Sequence, residues 1–338
     1  MFKKRNLIFL SLLILGVFLI TGCFLISAST YTITYDGNGH TGGSVPTDST
    51  VYKENDTVTV LDKGALVKTG YTFAGWDTAA DGSGTDHAVG SIFIMGSSDV
   101  TLYAKWTTNI YTVTFDSQGG SAVSSQIVSH GGKVTKPTNP TKTGYTFGGW
   151  YKESGCTTPW DFATDTVTAN VTLYAKWTPL YALRDTGPAG GLIFYVKEGG
   201  YSDGWMYLEA APSDQSTGAE WGSYGSSIGG TETGIGTGQS NTTTIMTWLN
   251  NNIETDRAAQ LCDAMVYGGY DDWFLPSKDE LNLMYENLKV VGVGGFAFSY
   301  WSSSEYDATF AWAQYFNFGN QSSNHKYNTH PVRAVRAF

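Results

Sequence analysis

The chain contains the nine-residue stretch Lys68-Thr-Gly-Tyr-Thr-Phe-Ala-Gly-Trp76, and nearly the same residues return as Lys142-Thr-Gly-Tyr-Thr-Phe-Gly-Gly-Trp150. In each copy a glycine is followed by alternating aromatic and small residues, which is the pattern of a half-buried β-strand after a turn. Similarity that returns along a chain indicates a repeated structural unit. The sequence therefore predicts two copies of one small, strand-rich module.

Matching blocks lie on both sides of this stretch. Tyr31-Thr-Ile-Thr-Tyr-Asp36 returns as Tyr111-Thr-Val-Thr-Phe-Asp116, and Val100-Thr-Leu-Tyr-Ala-Lys-Trp-Thr107 returns as Val171-Thr-Leu-Tyr-Ala-Lys-Trp-Thr178. The blocks keep their order while the spacers change in length, as surface loops between fixed strands allow. The predicted modules are residues 31–107 and residues 111–178.

These three blocks resemble the Listeria–Bacteroides repeat, also called the internalin-B B-repeat. The resemblance implies a small β-grasp-like module that serves bacterial surface proteins as a stalk or spacer. The blocks contain four tryptophans that either form a row for stacking on sugars or belong to the cores of the modules. Their recurrence in a fixed alternating pattern favours the cores. They are Trp76, Trp106, Trp150 and Trp177.

The N-terminus indicates export. Basic residues 3–5 precede the apolar run Leu7–Ile20, which is too short to span a bilayer and is typical of a secretory signal. Ile20-Thr-Gly-Cys23 resembles the bacterial lipobox, which implies cleavage before Cys23 and acylation of its sulfur. We therefore expect a signal peptide at 1–22, a linker at 23–30, and a protein held by lipid on the cell membrane or outer membrane, facing outside the cytoplasm. The alternative is an uncleaved anchor with an incidental cysteine.

A different domain begins at Tyr181 and extends to Phe338. Apolar residues with helical spacing predict three helices, and Ser277-Lys-Asp-Glu280 is a capping box at the start of the third. The Gly-, Ser- and Thr-rich stretch 213–241 and the stretch Asn317–Asn328 are expected to be loops. The apolar residues that define the helices are Ile245, Trp248 and Leu249, then Ala258, Leu261, Cys262 and Met265, then Leu281, Met284, Tyr285 and Leu288.

Three motifs of this domain resemble the C-terminal domain of the Legionella collagen-like adhesin. They are Gly268-Gly-Tyr-Asp-Asp-Trp-Phe-Leu-Pro-Ser-Lys-Asp-Glu-Leu281, Tyr300-Trp-Ser-Ser-Ser-Glu305 and Val332-Arg-Ala-Val-Arg336. The resemblance implies a C-type-lectin-like α+β fold, related in shape to the formylglycine-generating enzymes. The expected fold class is therefore multidomain, with two β-grasp-like modules followed by a C-type-lectin-like domain.

The cysteines argue against both disulfides and redox chemistry. Relatives of the C-terminal domain often carry a cysteine between the two terminal arginines, where this chain has Ala334, so Cys262 lacks that partner. Cys156 lies in another domain, and we expect both thiols to be free. Formylglycine-generating enzymes depend on redox-active cysteines, and this domain has one. We therefore expect no enzymatic activity and no cofactor.

Charge and composition exclude further classes of function. The net charge is −10, which disfavours nucleic acid and anionic membranes as partners. The five histidines include no metalloprotease pair, and no C-x-x-C motif for zinc is present. Asp271 and Asp272 are weak candidates for calcium ligands, although turn chemistry before a helix explains them better. Arg333 and Arg336 are expected to form structural ion pairs.

A ligand site is predicted within Tyr300–Tyr327, where aromatic residues alternate with amides and charges. Aromatic rings stack on sugar faces, and amides bind sugar hydroxyls. The alternative is that Trp301 and Trp312 belong to the core and that the loop is only solvated. The predicted ligand-binding residues are Trp301, Glu305, Tyr306, Tyr315, Asn317, Asn320, Asn324 and Lys326.

Together these features predict a surface-anchored lipoprotein with an adhesin-like role. Its partners would be the membrane, through the lipid on Cys23, and a glycan or a host or cell-wall protein bound by residues 181–338. One alternative is a structural envelope protein without a specific ligand. The other is a degenerate enzyme of the formylglycine-generating type.

Overall fold

The computed structural model describes residues 29–338, so the predicted signal peptide and Cys23 lie outside the described residues. Residue contacts divide the chain into two units. The first holds the described residues through Tyr111 with residues 128–132 and 166–169, and the second holds residues 112–127, 133–165 and 170–338. Within residues 29–338, no helix is long and apolar enough to cross a bilayer.

The first repeat module consists of strands. Its main sheet has the order β2-β8-β5-β6, in which β2 and β8 are parallel and β5 and β8 are antiparallel. Two-stranded pairs β1-β3 and β4-β7 complete it. The strands are β1 (Thr30–Tyr31), β2 (Ile33–Asp36), β3 (Tyr52–Lys53), β4 (Thr57–Thr59), β5 (Tyr71–Asp77), β6 (Asp86–His87), β7 (Ile92–Ile94) and β8 (Val100–Thr108).

The second repeat module has the four-stranded sheet order β10-β9-β12-β11, with β9 and β12 parallel. We call the repeated stretch that begins Lys-Thr-Gly-Tyr, at Lys68 and at Lys142, the KTGY block. The long strand of this block again pairs antiparallel with the last strand of the module. The shared sequence blocks therefore form the shared sheet. Its strands are β9 (Ile110–Asp116), β10 (Gln126–Ser129), β11 (Tyr145–Tyr151) and β12 (Val171–Pro179).

The tryptophans of the repeats divide into two classes. Trp76 and Trp150 are 0% and 2% exposed, in the cores of their modules, as the recurrence predicts. Each stacks edge to face on an aromatic residue of the strand that pairs parallel with the last strand of the module, which is Tyr35 of β2 in the first module and Phe115 of β9 in the second. By contrast, Trp106 and Trp177 are only half-buried, so the expected core position holds fully for two of the four.

The C-terminal domain mixes strands and helices. Its sheets have the orders β13-β14-β20, β15-β19 and β16-β17-β18. Its elements are β13 (Leu192–Val196), β14 (Tyr207–Ala210), β15 (Ser216–Glu220), α1 (Gly238–Asn251), α2 (Ala258–Asp263), α3 (Lys278–Met284), a π-helical turn (Tyr285–Lys289), β16 (Ser299–Glu305), β17 (Phe310–Tyr315), β18 (Gln321–His325), β19 (Thr329–Val332) and β20 (Val335–Ala337).

The three predicted helices are present. The start of the third is fixed by the predicted capping box. The hydroxyl of Ser277 accepts from the amide of Glu280, and the Glu280 carboxylate accepts from the amide of Ser277, which confirms the capping box. The same buried carboxylate also accepts from the amide of Gly236 (2.7 Å), just before α1. Burial raises the pKa of Glu280 although these amides oppose the shift. One side chain thus fixes the starts of two helices.

Two predicted loops contain regular structure. The stretch Asn317–Asn328 includes the strand β18, and its Lys326 is 0% exposed, so the prediction of one exposed loop is wrong. The stretch 213–241 likewise includes the strand β15 and the first turn of α1. Ser- and Asn-rich strands were missed because their sequences lack the β-branched and aromatic residues that usually mark strands.

Candidate functional site

Three of the predicted ligand-binding residues lie inside the C-terminal domain. Trp301 and Lys326 are 0% exposed, and the Glu305 side chain is 6% exposed. The Trp301 indole donates to the carbonyl oxygen of Ala219 (2.8 Å). Buried groups whose bonds are made internally do not reach a ligand, which corrects the assignment of these three residues.

Glu305 and Lys326 form an internal ion pair with an N–O distance of 2.5 Å. Burial alone would raise the pKa of Glu305, but the Lys326 ammonium and the amides of Ile228 and Gly229 outweigh burial and hold that pKa below its usual value. Burial lowers the pKa of Lys326, and the Glu305 carboxylate opposes that shift. The pair therefore ties the loop at residues 227–229 to the end of β16 and to the turn after β18.

The other five predicted residues do not form one cluster. Tyr306 is 56% exposed just after β16, near the end of the β17–β18 hairpin where Phe310 pairs with His325. Asn317 and Asn320 are exposed in the loop that joins these two strands. The length of β17 separates the two ends by roughly 17 Å at about 3.4 Å per residue. Tyr315 and Asn324 are half-buried and bond to each other, with 3.0 Å from Oη to Oδ1.

Six aromatic side chains instead form a continuous surface on this sheet, which we call the aromatic face. Their ring centroids lie 4.2–6.5 Å apart in a chain of contacts, the range in which aromatic rings attract one another. Three of the rings are about half exposed, with values from 49% to 56%. The six residues are Tyr224, Tyr306, Phe310, Trp312, His325 and Tyr327.

Strand alternation explains how β17 contributes. Ala311 and Ala313 are 0% and 1% exposed in the core, so the alternate residues Phe310 and Trp312 point outward. The register places His325 directly opposite Phe310, and the two rings stack with a centroid distance of 4.2 Å. The backbone therefore brings the rings together before any ligand is present.

Two carboxylates fix the flanking turns. Asp307 accepts from the amides of Thr309 (2.7 Å) and Phe310 (2.8 Å), and these bonds hold the pKa of Asp307 below its usual value. Glu305 holds the amides of residues 228 and 229, close along the chain to Tyr224. The buried ion pair therefore positions the aromatic face without contacting a ligand.

The polar groups of the aromatic face are largely free. Within residues 29–338, the hydroxyls of Tyr224, Tyr306 and Tyr327 make no hydrogen bond. The Lys278 ammonium lies 4.1 Å from the centre of the Trp312 ring, at one edge of the face. Flat rings with free hydroxyls at their edges suit a ligand that has both apolar faces and hydroxyl groups.

Of the two weak calcium candidates, one is held in an ion pair and the other is exposed. Asp272 makes two bonds to the Arg336 guanidinium, at 2.8 and 2.9 Å, while Asp271 is exposed. In the part of the chain that the structure describes, no group of three or more His, Cys, Asp or Glu side chains can hold a metal ion. The predicted structural ion pairs of the terminal arginines are confirmed, since Arg333 also pairs with Asp214.

Sequence reasoning named only Tyr306 of the aromatic face as a ligand-binding residue. Four more members lie within the predicted stretch Tyr300–Tyr327 but were not assigned to the site, and Tyr224 lies outside that stretch. Tyr224 lies in a Gly- and Ser-rich stretch, and His325 and Tyr327 lie in a segment expected to be a loop. The available sequence signal was the alternation of Phe310 and Trp312, whereas the position of His325 opposite Phe310 follows from the register of the hairpin in the structure.

Family models match both parts of the chain. The Listeria-Bacteroides repeat domain matches residues 31–105 and 111–176, and the Lcl C-terminal domain matches residues 211–336. The chain therefore carries two such repeats and one such C-terminal domain. Strands β13 and β14 precede the residues that match the Lcl C-terminal domain. They nevertheless belong to that domain, because β14 pairs with its last strand, β20.

Curated relatives match shorter parts. A Gly-rich membrane protein of Evansella cellulosilytica is 45% identical over 45% of this chain and 17% of that protein. Internalin H of Listeria monocytogenes is 45% identical over 34% of this chain and 20% of that protein. The chain thus spans a fifth or less of the length of these relatives.

Two solved structures align weakly. A fimbrial protein from Bacteroides ovatus aligns over 91% of this chain and 99% of that chain, with a TM-score of 0.36 and 11% identity. Two domains of a streptococcal cell surface protein, described as high identity repeats in tandem, align over 44% of this chain and 98% of that chain, with a TM-score of 0.20 and 19% identity. Values this low do not establish a shared fold.

Proposed function

From a chain that carries two Listeria–Bacteroides repeats and an Lcl C-terminal domain, we propose an exported surface protein whose C-terminal domain binds a carbohydrate through the aromatic face. The observation that carries the proposal is the continuous row of six rings, three of them about half exposed, with unbonded hydroxyls. Exposed aromatic surface of this kind marks interaction sites.

The chemistry favours a saccharide. Pyranose rings offer apolar C–H faces that pack on aromatic rings, and their hydroxyls bond to phenol groups such as those of Tyr224, Tyr306 and Tyr327. The only cationic side chain in ring contact with the face is Lys278 in the described residues, so a mainly neutral saccharide fits best. The repeats would hold this domain away from the cell surface.

The location and fold class are part of the same proposal. Relatives named as membrane proteins and an internalin support a surface location. Acylation at Cys23 would supply the anchor, since two or more acyl chains hold a protein stably on a bilayer. We infer β-grasp-like repeats and a C-type-lectin-like C-terminal domain from the families that the two parts of the chain resemble. We infer a role without catalysis because the named relatives are surface and membrane proteins.

Binding to a glycan array tests this function with residues 29–338, which hold every described element. We expect saturable binding that a calcium chelator leaves unchanged and that Tyr306→Ala or Trp312→Ala weakens at least about 10-fold. Phe318→Ala is the matched control, because Phe318 is 79% exposed in the same hairpin but lies at its other end. A blank array, with a protein captured instead from cell-wall or host extracts, would replace the carbohydrate with a protein ligand.

A further inference from the structure

Each repeat module has an open cleft at the same position. In the first module the cleft has a volume of about 280 Å³ and is lined by Lys68, Tyr71, Lys105 and Trp106, among others. In the second it has a volume of about 400 Å³, and the corresponding residues are Lys142, Tyr145, Lys176 and Trp177. The sequence blocks that define the repeats therefore also define a repeated cleft.

An amide side chain forms one wall in both copies. Asn38 and Gln118 occupy the left-handed backbone region, with φ of 44° and 45°. Their side-chain nitrogens donate to the carbonyl oxygens of Ala104 (3.0 Å) and Ala175 (2.9 Å). Because this wall is held by hydrogen bonds to the last strand of each module, the cleft is present without a ligand.

A lysine at the start of the KTGY block is held against this wall. The Lys68 ammonium donates to the carbonyl oxygen of Asn38 (3.2 Å), and the Lys142 ammonium donates to that of Gln118 (3.0 Å). Each ammonium also lies over the tyrosine three residues later, at 4.8 and 4.6 Å from the ring centre. One hydrogen bond leaves further donors of each ammonium group available.

The two clefts differ in charge. In the first module, Lys105 pairs with Asp86 at 2.5 Å and lies 3.9 Å from Asp77, so its charge is neutralised. Tyr151 takes the place of Asp77 in the second module, because each follows the core tryptophan of its strand. The Lys176 ammonium lies 5.1 Å from the Tyr151 ring centre and makes no ion pair within residues 29–338.

We propose that the second cleft binds a saccharide that carries an anionic group, either a carboxylate or a phosphate ester. The anion binds at Lys142 and Lys176, which both line the cleft, and the sugar ring packs against the half-buried Trp177. Opposite charges favour this arrangement, and no acidic residue lines the cleft. The first cleft, which Asp77 and Asp81 also line, rejects the same group.

This site is independent of the aromatic face and of the function proposed for it. It lies in the second repeat, and its ligand is anionic where that of the aromatic face is mainly neutral. The variant Tyr306→Ala therefore leaves anionic binding unchanged, which separates the two proposals.

Calorimetric titration of residues 29–338 tests the site with three probes: a glucuronic-acid-containing tetrasaccharide, a sugar phosphate and a neutral oligosaccharide of the same length. We expect one of the anionic probes to bind, with an affinity that falls as salt increases. Lys176→Gln weakens binding at least about 10-fold. Tyr151→Asp does the same, because it restores the acidic partner that the first repeat carries naturally and is therefore compatible with the fold.

Lys105→Gln is the matched control in the first module and leaves the affinity within about 2-fold. Several outcomes would overturn the proposal: equal binding of the neutral probe, equal loss in the Lys105 variant, or no binding of either anionic probe at millimolar concentration. If inorganic phosphate competes with the same affinity as the sugar probes, the cleft binds an adventitious ion only, and the proposal of a saccharide site is wrong. Circular dichroism of each variant verifies that the module is folded.

Discussion

A Cβ atom added to Gly268 would lie 2.4 Å from the carbonyl oxygen of Ala189, closer than a real Cβ atom comes to backbone. Gly268 also has φ of 64°, in the left-handed region that disfavours other residues. Its neighbour Gly269 shares that handedness, with φ of 86°, but a Cβ there would meet no atom within 4 Å. A substitution at Gly269 therefore introduces backbone strain alone, whereas the same substitution at Gly268 adds a steric clash.

We expect Gly268→Ala to lower the free energy of unfolding by about 2–5 kcal/mol, because strain and overpacking add. Gly269→Ala is expected to cost about 1–2 kcal/mol from strain, partly offset by the lower entropy of the unfolded chain. Urea unfolding followed by tryptophan fluorescence measures both. Equal losses would mean that the backbone at Ala189 moves aside.

Local signals made much of the fold predictable. The capping box of Ser277 and Glu280 needs only residues three apart, and its geometry agrees with the prediction. The KTGY blocks likewise predicted the long strands β5 and β11, because each block carries its own turn and alternation. These elements depend on neighbouring residues, so no knowledge of the tertiary structure was needed.

The candidate sites depend on contacts between residues that are distant along the chain, so most of their members could not be predicted from the sequence. Lys326 resembles a surface lysine until β18 brings its ammonium group against Glu305 in the interior. Lys142 and Lys176 form a local basic site only because the sheet brings their blocks to one cleft. In the first module, Lys105 is instead neutralised by Asp77 at the end of β5 and by Asp86 in β6.

The buried pair of Lys326 and Glu305 predicts a large loss of stability when one partner is removed. Lys326→Met leaves the Glu305 carboxylate buried without its counter-ion, which we expect to cost about 3–5 kcal/mol. Lys197→Met is the control, because Lys197 pairs with the largely exposed Asp203 and its removal costs about 1 kcal/mol or less. Denaturant unfolding measures the two losses, and similar values would contradict the structural role of the buried pair.

The same pair predicts how that loss depends on pH. The pKa of Glu305 in the folded protein is lowered, so its stabilising contribution is present above the pKa of the unfolded chain and is lost as the pH falls through the folded pKa. In Lys326→Met, burial without the ammonium raises the pKa of Glu305, so protonation relieves the variant. Both effects make the stability difference between the protein and Lys326→Met smaller as the pH falls.

The difference in unfolding free energy between the protein and Lys326→Met is therefore expected to be largest near pH 7 and to shrink toward about pH 4. Unfolding titrations at several pH values measure it, and Lys197→Met should show a much flatter dependence. A difference that grows on acidification would show that Glu305 is not the group responsible.

The two described cysteines are expected to differ in reactivity. Cys262 is 0% exposed, and burial raises the pKa of its thiol well above the usual value, so little of the reactive thiolate forms. Cys156 is free and partly exposed, beside the cleft of the second repeat. In residues 29–338 under native conditions, we expect iodoacetamide to label Cys156 at least about 100-fold faster, because labelling of Cys262 requires the core to open. Mass spectrometry of peptides gives both rates, and unfolding in urea should make them similar. Rapid labelling of Cys262 in the folded protein would contradict its position on the buried face of α2.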